Sequence, residues 1–318
     1  MNQKINKKII LLVNLGSPNE LKTSSIRSFL SDFLSDKRVV KLPKLLWYPI
    51  LYGIILPIRA KRLLKQYTKI WLNGSAPLIY YTKSIADKLQ VKYQNDDTLV
   101  IYAFSYSKPS INEQLQLIEN KYCITDLTVV PLYPQFSSTT TMSVFDQINK
   151  YYQNKYYLPN IRFINSFYNH IGYIDTIVNM INKYKLADSH LLFSYHSLPV
   201  AIIKNGDTYY EECLKTTELI VNKLGITNYS IAFQSRFGNQ KWLTPSTETT
   251  VRELAVKKQI NIICPGFVCD CLETLEEVAI INKAIFMNNG GEEYNYISCV
   301  NDNDQFIETL YMILNNSY

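Results

Sequence analysis

The chain has 318 residues, of which 47% are hydrophobic and 19% are charged, and its formal net charge is +6. This composition supports a buried core and excludes a disordered chain, and at roughly 150 residues per domain the length predicts two domains. The positive charge is not gathered into a basic stripe with interleaved aromatic residues, which argues against a nucleic-acid binder.

The first half of the chain contains four short apolar runs, separated by long stretches that are compatible with helices. Such runs, rich in Ile, Val, Leu, Phe and Tyr, are typical of parallel strands joined by crossover helices. The predicted strands lie at residues 8–16, 98–106, 127–136 and 161–168. We therefore predict an N-terminal domain over residues 1–168.

One segment between the first two strands differs from the rest. Residues 47–58, "WYPILYGIILPI", carry no charge, and the chain continues with the basic residues Arg59, Lys61, Arg62, Lys65 and Lys69. The segment is too short to span a bilayer, which needs about 20 residues. It is either a buried helix with a solvated basic face, or an apolar lip at about residues 40–70 that rests on an anionic membrane surface.

The second half repeats the pattern of the first, with strands predicted at residues 190–198, 229–238, 260–267 and 294–300. We predict a C-terminal domain over residues 169–318, whose last helix packs back on the first domain. The fold class is α/β, with two Rossmann-like domains that each hold a four-stranded parallel sheet flanked by helices. Ligands bind beyond the carboxyl ends of parallel strands, so two facing sheets would direct their loops into a cleft between the domains.

Several common function classes are excluded by motifs that the sequence lacks. None of the 10 glycines form a G-x-G pair, and no phosphate-binding P-loop is present, which argues against a nicotinamide enzyme or a nucleoside triphosphatase. The 6 cysteines contain no C-x-x-C pair, and the N-terminal apolar run is too short for a signal peptide. Reduced thiols in a cytoplasmic protein are the simplest interpretation.

The stretch "LLFSYHSLP" places His196, one of only 3 histidines, where a predicted strand gives way to a turn. An imidazole at a strand end suits acid–base chemistry near neutral pH or metal ligation. A structural histidine with satisfied hydrogen bonds is the alternative. Of the other two, we expect His170 to be structural and His190 to lie on the surface.

A carboxylate partner is supplied by "CPGFVCDCLETLEEV", residues 264–278. Asp270, Glu273 and Glu277 are spaced i, i+3 and i+7, which places them on one face of a predicted helix, and Glu276 flanks them. As an alternative, Asp270 is the N-cap of that helix and forms a capping box with Glu273. One imidazole and one carboxylate suit ferrous iron or proton transfer.

Five phrases occur together and in order: "LLVNLGSP", "VVPLYPQFSSTTT", "LLFSYHSLP", "FQSRFGNQKWLTP" and "CPGFVCDCLETLEEV". With them the chain resembles the ferrochelatase family, from about residue 8 to residue 302. The resemblance implies a two-domain chelatase fold and a lyase of the bacterial type that inserts ferrous iron into protoporphyrin IX, the last step of haem synthesis. The implied partners are that porphyrin and ferrous iron.

The resemblance also assigns roles to individual residues. His196 and Glu273 match the catalytic, metal-binding pair of the family, with Asp270 and Glu277 extending a path for iron or protons. Residues 47–58 match the hydrophobic lip at the porphyrin entrance. The polar loop that lines the porphyrin site corresponds to Tyr133, Gln135, Ser137 and Thr139, and a motif that we interpret as mainly structural contains Gln234, Ser235, Arg236 and Trp242.

Two departures from the family pattern matter. Some ferrochelatases hold an iron–sulfur cluster with a cysteine that corresponds to Ser138 and with later cysteines, whereas the last cysteine here is Cys299. Four thiolates cannot be assembled, so we expect no cluster and no tightly bound cofactor, with iron as a substrate only. Ser105 stands where other branches have an arginine, so any propionate contact must come from elsewhere.

Three alternatives remain open at this stage. A related enzyme would insert iron into coproporphyrin III, or cobalt into a more reduced tetrapyrrole. A carrier would bind porphyrin or haem without chemistry. A generic two-domain α/β protein would bind a small solute, which leaves the acidic row and the apolar lip unexplained. The pairing of His196 with Glu273 argues against a carrier, which needs no base. We expect a cytoplasmic protein with peripheral membrane contact through the lip.

Overall fold

The computed structural model describes residues 4–184, 189–236, 238 and 240–315. In this part of the chain, every pairing between strands is parallel. The strands are β1 (Ile5–Asn14), β2 (Thr98–Phe104), β3 (Tyr122–Pro131), β4 (Asn160–Phe163), β5 (His190–His196), β6 (Tyr229–Gln234), β7 (Gln259–Ile263) and β8 (Glu293–Ile297). The predicted α/β class, with two four-stranded parallel sheets, is confirmed.

Helices fill the connections between these strands, as parallel pairing requires. The α-helices are α1 (Thr23–Ser35), α2 (Lys44–Ile50), α3 (Leu56–Ile70), α4 (Pro77–Lys92), α5 (Ile111–Lys121), α6 (Thr141–Tyr152), α7 (Ile171–Ile181), α8 (Val200–Lys204), α9 (Tyr209–Leu224), α10 (Thr247–Leu254), α11 (Lys283–Asn288) and α12 (Asp304–Asn315). Two further segments, Leu51–Ile55 and Glu273–Asn282, are π-helical, and Ala255–Lys257 form a turn of 3₁₀-helix.

The two sheets have the same strand order, β2-β1-β3-β4 in the first and β6-β5-β7-β8 in the second. The inner strand β1 is buried from Ile9 to Asn14, and β5 is buried along its length until His196, which is half-buried. Strands covered by helices on both faces lose the alternation of polar and apolar residues. The apolar runs of the sequence therefore correspond to the inner strands of each sheet.

The chain divides into two compact units whose limits differ from the predicted division at residue 168. Unit 1 comprises Met1–Leu132, Ser138–Asn165 and Leu310–Tyr318, and unit 2 comprises Tyr133–Ser137 and Ser166–Thr309. Within unit 1, the guanidinium of Arg162 donates to the carbonyl oxygens of Ile313 and Leu314, at 3.0 and 2.8 Å. These are end carbonyls of α12, which have no partner within the helix, so the end of α12 is anchored to unit 1.

The core of unit 2 fixes the segment that follows β7. Val278 is fully buried against Ile260 and Ile262 of β7, together with Phe286 of α11. The hydroxyl of Tyr294 donates to the carbonyl oxygen of Val278 at 2.7 Å. The π-helical segment Glu273–Asn282 is thereby held against the sheet.

Two local expectations need correction. The predicted strands extend too far at their carboxyl ends: β3, predicted to reach residue 136, stops at Pro131, because the chain there turns into the loop that joins unit 2. Residue 237, within the strand predicted over 229–238, lies outside the described residues. His190 is not a surface residue: it is 7% exposed and hydrogen-bonds Asn228 and Ser230 at 2.6 and 2.9 Å, and burial lowers its pKa.

Candidate active site

His196 is the last residue of β5, and its ring orientation is set by its own main chain. Ring atom Nδ1 lies 2.7 Å from the carbonyl oxygen of Ser197. A carbonyl can only accept, so in the neutral ring Nδ1 carries the proton and Nε2 keeps its lone pair. Strand β6 runs beside β5, with Gln234 in register with His196. The imidazole thus presents a base, or a metal ligand, at the carboxyl edge of the second sheet.

The acidic residues lie on a π-helix over Glu273–Asn282 (the acidic helix), where the sequence predicted an α-helix. A π-helix bonds i to i+5, which makes its turn wider than an α-helical turn. Glu273 and Glu277, four residues apart, lie within one such turn and still share a face. π-Helical segments are rare in proteins, and those that occur are often found at functional sites. The backbone of the acidic helix therefore marks it as a candidate site.

Glu277 is held by two hydrogen bonds from one residue. The main-chain N–H of Ser235 donates to Oε1 at 2.8 Å, and the Ser235 hydroxyl donates to Oε2 at 2.5 Å. The pKa of Glu277 is raised above its ordinary value, mainly because the carboxyl is buried, and the charge of Glu273 raises it further. The Ser235 hydrogen bonds and His196 act in the opposite direction. His196, Glu273 and Glu277 therefore form one electrostatically coupled group.

Glu273 is half-buried and contacts a buried thiol. The Sγ atom of Cys271 donates to Oε2 of Glu273 at 3.0 Å. Burial, and next the charge of Glu273, raise the pKa of Cys271 well above its ordinary value, so the thiol keeps the proton that it donates. The carbonyl oxygen of Glu273 accepts a hydrogen bond from Nε2 of Gln234 at 3.1 Å. Glu273 is held through both its main chain and its side chain.

Asp270 does not continue the acidic row. It precedes the acidic helix and is 3% exposed. Its carboxylate accepts hydrogen bonds from Tyr296 and Thr274 on Oδ1, at 2.5 and 3.0 Å, and from Asn301 on Oδ2 at 2.7 Å. The single-face expectation is therefore wrong for Asp270, because the helix starts after it and its oxygens are already used. A role for Asp270 in a proton or iron path stays a prediction.

The sequence profile of the ferrochelatase family matches residues 7–318. The chain belongs to the ferrochelatase family. The ferrochelatase of Aliivibrio fischeri (strain MJ11) is 39% identical over 317 residues, covering 98% of this chain and 97% of that protein. The ferrochelatase of Francisella tularensis subsp. holarctica (strain OSU18) is 41% identical over 324 residues, covering 98% and 96%. Family membership makes the chain an enzyme that inserts a metal ion into a porphyrin for haem synthesis.

Solved structures support the fold independently of sequence. SirB from Bacillus subtilis, determined with Fe³⁺, has a TM-score of 0.58 at 11% identity, covering 98% of this chain and 96% of SirB. CbiX, the terminal enzyme for biosynthesis of sirohaem in denitrifying bacteria, has a TM-score of 0.52 at 10% identity, covering 98% and 100%. Both comparisons show the chelatase fold alone.

The resemblance to ferrochelatases assigned one polar loop to the porphyrin. Two of its side chains form hydrogen bonds with other residues of unit 2. In unit 2, Nε2 of Gln135 donates to Thr216 and to the carbonyl oxygen of Pro265, at 2.9 and 3.2 Å. Ser137 donates to Asp207 at 3.2 Å. Gln135 and Ser137 are each 2% exposed, so these contacts position the loop. Tyr133 and Thr139 are half-buried, and contact of any of the four with a porphyrin stays a prediction.

Gln234 and Ser235 are the site residues that sequence reasoning undervalued. Both were interpreted as mainly structural, yet they contact the main chain of Glu273 and the carboxylate of Glu277. Ser235 adopts φ +63°, a left-handed conformation that is uncommon for residues other than glycine. The available signal was position: this dipeptide ends the strand next to the one that ends in His196.

The segment assigned to the family's lip carries apolar side chains on both its buried and its exposed face. It runs through α2, the π-helical residues Leu51–Ile55 and the start of α3. Trp47 and Leu51 are buried, and the indole N–H of Trp47 donates to the carbonyl oxygen of Leu34 at 2.7 Å. The opposite face exposes large apolar side chains, most fully Leu45 at 88% and Leu46 at 65%. The segment therefore has a buried side and an exposed apolar side, and its contact with a membrane stays a prediction.

Two structural features bear on the metal and the membrane. Among the described residues, no group of three or more His, Cys, Asp or Glu side chains is arranged to hold a metal ion. Within the same ranges, no helix has the length and hydropathy needed to cross a bilayer. The 6 cysteines are free thiols, and all except Cys123 are buried. The expected lack of an iron–sulfur cluster stays a prediction.

Proposed function

We propose that the chain inserts ferrous iron into protoporphyrin IX to give protohaem, as a lyase that forms metal–nitrogen bonds. The observation that carries this proposal is the coupled group at the carboxyl edge of the second sheet. There, a histidine with its Nε2 lone pair available is coupled to two glutamates of a rare π-helix. Family membership supports the same reaction class.

Metallation of a porphyrin requires a base, because the ring holds two pyrrole N–H protons that must leave when the metal enters. His196 is proposed to accept a pyrrole proton at Nε2. Its Nδ1–H is engaged by the carbonyl oxygen of Ser197, which keeps the accepting nitrogen directed away from the main chain. General acid–base groups of this kind accelerate reactions by roughly 10²–10⁴-fold.

The two glutamates are proposed to deliver ferrous iron or to carry protons away. Carboxylate and imidazole ligands suit first-row divalent metals. Both glutamates are half-buried, but Glu277 accepts two hydrogen bonds from Ser235, whereas the carboxylate of Glu273 accepts one from a thiol, which is a weak donor. This difference supports a fixed role for Glu277 and a less constrained carboxylate at Glu273. The opposite order, in which His196 and Glu273 both ligate iron before transfer, fits the same contacts. A direct role of Asp270 in this path stays a prediction, and its carboxylate oxygens already accept hydrogen bonds from Tyr296 and Asn301.

The choice of porphyrin is supported by the exposed apolar face of residues 42–58. Leu45, Leu46 and Ile58 are each at least 65% exposed, and such a surface favours the less polar protoporphyrin over coproporphyrin III. The same face, followed by Lys61, Arg62 and Lys65, is proposed to rest on an anionic membrane surface. Peripheral location and the cytoplasmic compartment are parts of this proposal.

An anaerobic insertion assay tests the proposal. Ferrous iron would be mixed with protoporphyrin IX or, in parallel, with coproporphyrin III, and absorbance would follow the free and the metallated porphyrin. We expect faster turnover of protoporphyrin. Faster turnover of coproporphyrin would keep the chemistry and change the substrate, while tight binding without insertion would support the carrier.

The role of His196 is tested by His196→Ala in the same assay. Loss of the base should lower insertion by roughly 100-fold or more, while porphyrin binding, measured by fluorescence, is retained. His170→Asn is the matched control. His170 caps α7 by accepting from Gly172, and asparagine preserves an acceptor there. Full activity of His196→Ala would eliminate the proposed base.

A further inference from the structure

The residues at the end of β6 form hydrogen bonds with the acidic helix at two points. Gln234 donates from Nε2 to the carbonyl oxygen of Glu273, and the adjacent Ser235 donates to both carboxylate oxygens of Glu277. These contacts join two neighbouring residues at the strand end to two glutamates four residues apart on the helix. The strand end and the acidic helix are therefore held in a fixed relative position.

The Gln234 side chain is itself immobilised. Its Oε1 accepts from the hydroxyl of Ser194 at 2.5 Å and from Sγ of Cys264 at 3.5 Å. Gln234 is 2% exposed, and a fully satisfied buried network of this kind rigidifies its members. Ser194 lies on β5, two residues before His196, so the network links the strand that carries the base to the helix that carries the carboxylates.

Ser235 completes this connection with an unusual backbone. At φ +63° it lies in the left-handed region, which residues other than glycine occupy at a cost when the surroundings require it. In this conformation both its N–H and its hydroxyl reach the same carboxylate. The N–H cannot accept a proton, so Oε1 of Glu277 must act as the acceptor, and the carboxylate has one fixed orientation.

We propose that Ser235 is a positioning residue for metal insertion: its two hydrogen bonds fix the Glu277 carboxylate relative to His196. This inference rests on the proposed function. Glu277 supplies a fixed negative charge beside the base, and Ser235 determines where that charge points. Without the Ser235 hydroxyl, Oε2 loses its partner and the carboxylate can turn about its remaining bond to the main-chain N–H.

The test uses Ser235→Gly, because glycine adopts positive φ freely and keeps the main-chain donor. The variant therefore removes the hydroxyl without adding backbone strain. Loss of a hydrogen bond to a charged group changes a rate or an affinity by on the order of tenfold. We expect the KM for ferrous iron to rise, or kcat to fall, by on the order of tenfold, while the KM for the porphyrin is unchanged. Ser235→Ala should show the same kinetic change but lower thermal stability than Ser235→Gly, because alanine is strained at positive φ.

Coupling to Glu277 separates positioning from a general structural role. In the Glu277→Gln background, Ser235→Gly should cause little further loss, because the carboxylate that it positions is absent. An equal loss in both backgrounds, or wild-type kinetics in Ser235→Gly, would overturn the proposal.

A measurement without turnover keeps the two proposals distinguishable. In protein carrying ¹³C at the glutamate carboxyls, Glu277 is assigned as the resonance missing in Glu277→Gln. Its chemical shift should move in Ser235→Gly, and an unmoved resonance would show that the hydroxyl does not hold the carboxylate. This result is obtained even if the wild-type chain fails to insert iron, an outcome that would refute the proposed function alone.

Discussion

Replacing Asp270 tests whether this carboxylate anchors the site or takes part in transfer. Its oxygens accept hydrogen bonds from Tyr296 and Thr274 on Oδ1, at 2.5 and 3.0 Å, and from Asn301 on Oδ2 at 2.7 Å. A longer one, at 3.5 Å, reaches Oδ1 from the main-chain N–H of Cys299. Asn301 both donates to Oδ2 and accepts from the Asp270 main-chain N–H at 2.8 Å, so its amide cannot turn over without losing a bond. Asp270→Asn therefore keeps an acceptor for Asn301 only if its NH₂ group takes the Oδ1 position, where the hydroxyls of Tyr296 and Thr274 must turn from donating to accepting.

The expected cost follows from these contacts. Asp270→Asn removes the charge that strengthens these hydrogen bonds and makes the donors on Oδ1 reorient, which costs about 2 kcal/mol. Asp270→Ala leaves the buried donors of Tyr296, Thr274 and Asn301 without this acceptor and costs about 4 kcal/mol. A loss of that size is a large part of the total stability of a typical protein, so the asparagine variant is the one suited to kinetics.

Urea unfolding followed by far-UV circular dichroism measures these costs, from midpoints compared at a common slope. The insertion rate of Asp270→Asn should remain within about threefold of wild type, since its shape is conserved. Asp146→Asn is the control: Asp146 is 49% exposed in its ion pair with Arg38, so its loss should cost under about 1 kcal/mol. Unchanged stability in Asp270→Asn with a large loss of insertion would refute the anchoring role.

Two further predictions concern Glu277 and the apolar face. Burial raises the pKa of Glu277, so the folded chain holds this proton more tightly than the unfolded chain. The stability that results is present below the ordinary glutamate pKa and is lost as pH rises through the raised value. Urea unfolding from about pH 4 to pH 7 should show wild type losing stability relative to Glu277→Gln, and a pH-independent difference would contradict the shift. Leu45→Glu should weaken sedimentation with anionic vesicles at unchanged stability, because Leu45 is 88% exposed and its charge would oppose the lipid. Leu117→Glu is the control, because Leu117 is 51% exposed on α5. Equal vesicle binding by both variants would exclude the lip as the membrane-contacting surface.

Much of the fold was predictable because it depends on local patterns. All eight predicted strands are present, since inner strands of parallel sheets must be apolar on both faces. The ends of the strands were less predictable. A strand ends where its neighbours stop pairing with it, and the residue types on either side of that point are similar. His190 shows the same difficulty: its burial depends on Asn228 and Ser230, which lie on another part of the chain.

The sequence offered the residues of the candidate site, whose roles stay predictions, but not their geometry. His196, Glu273 and Glu277 stand in recognisable phrases, and the structure couples them. The row through Asp270 was wrong because it assumed a regular α-helix from that residue, whereas the helix is of the π type and starts later. Only partners distant in sequence, Tyr296 and Asn301, reveal what Asp270 does.

The sequence by itself determined that two α/β halves repeat one pattern, that a histidine ends an inner strand, and that paired glutamates follow another. These features depend on residue type and short spacing, which the chain carries locally. Only the tertiary structure decided the tautomer of His196, the π-helical turn and the clamp of Ser235 on Glu277. The hydrogen bonds from Ser235 to Glu277 join a strand end to a helix 42 residues later, and they form only when the packed core fixes both partners. The tautomer and the π-helical turn depend on local three-dimensional geometry, which the order of residue types does not reveal.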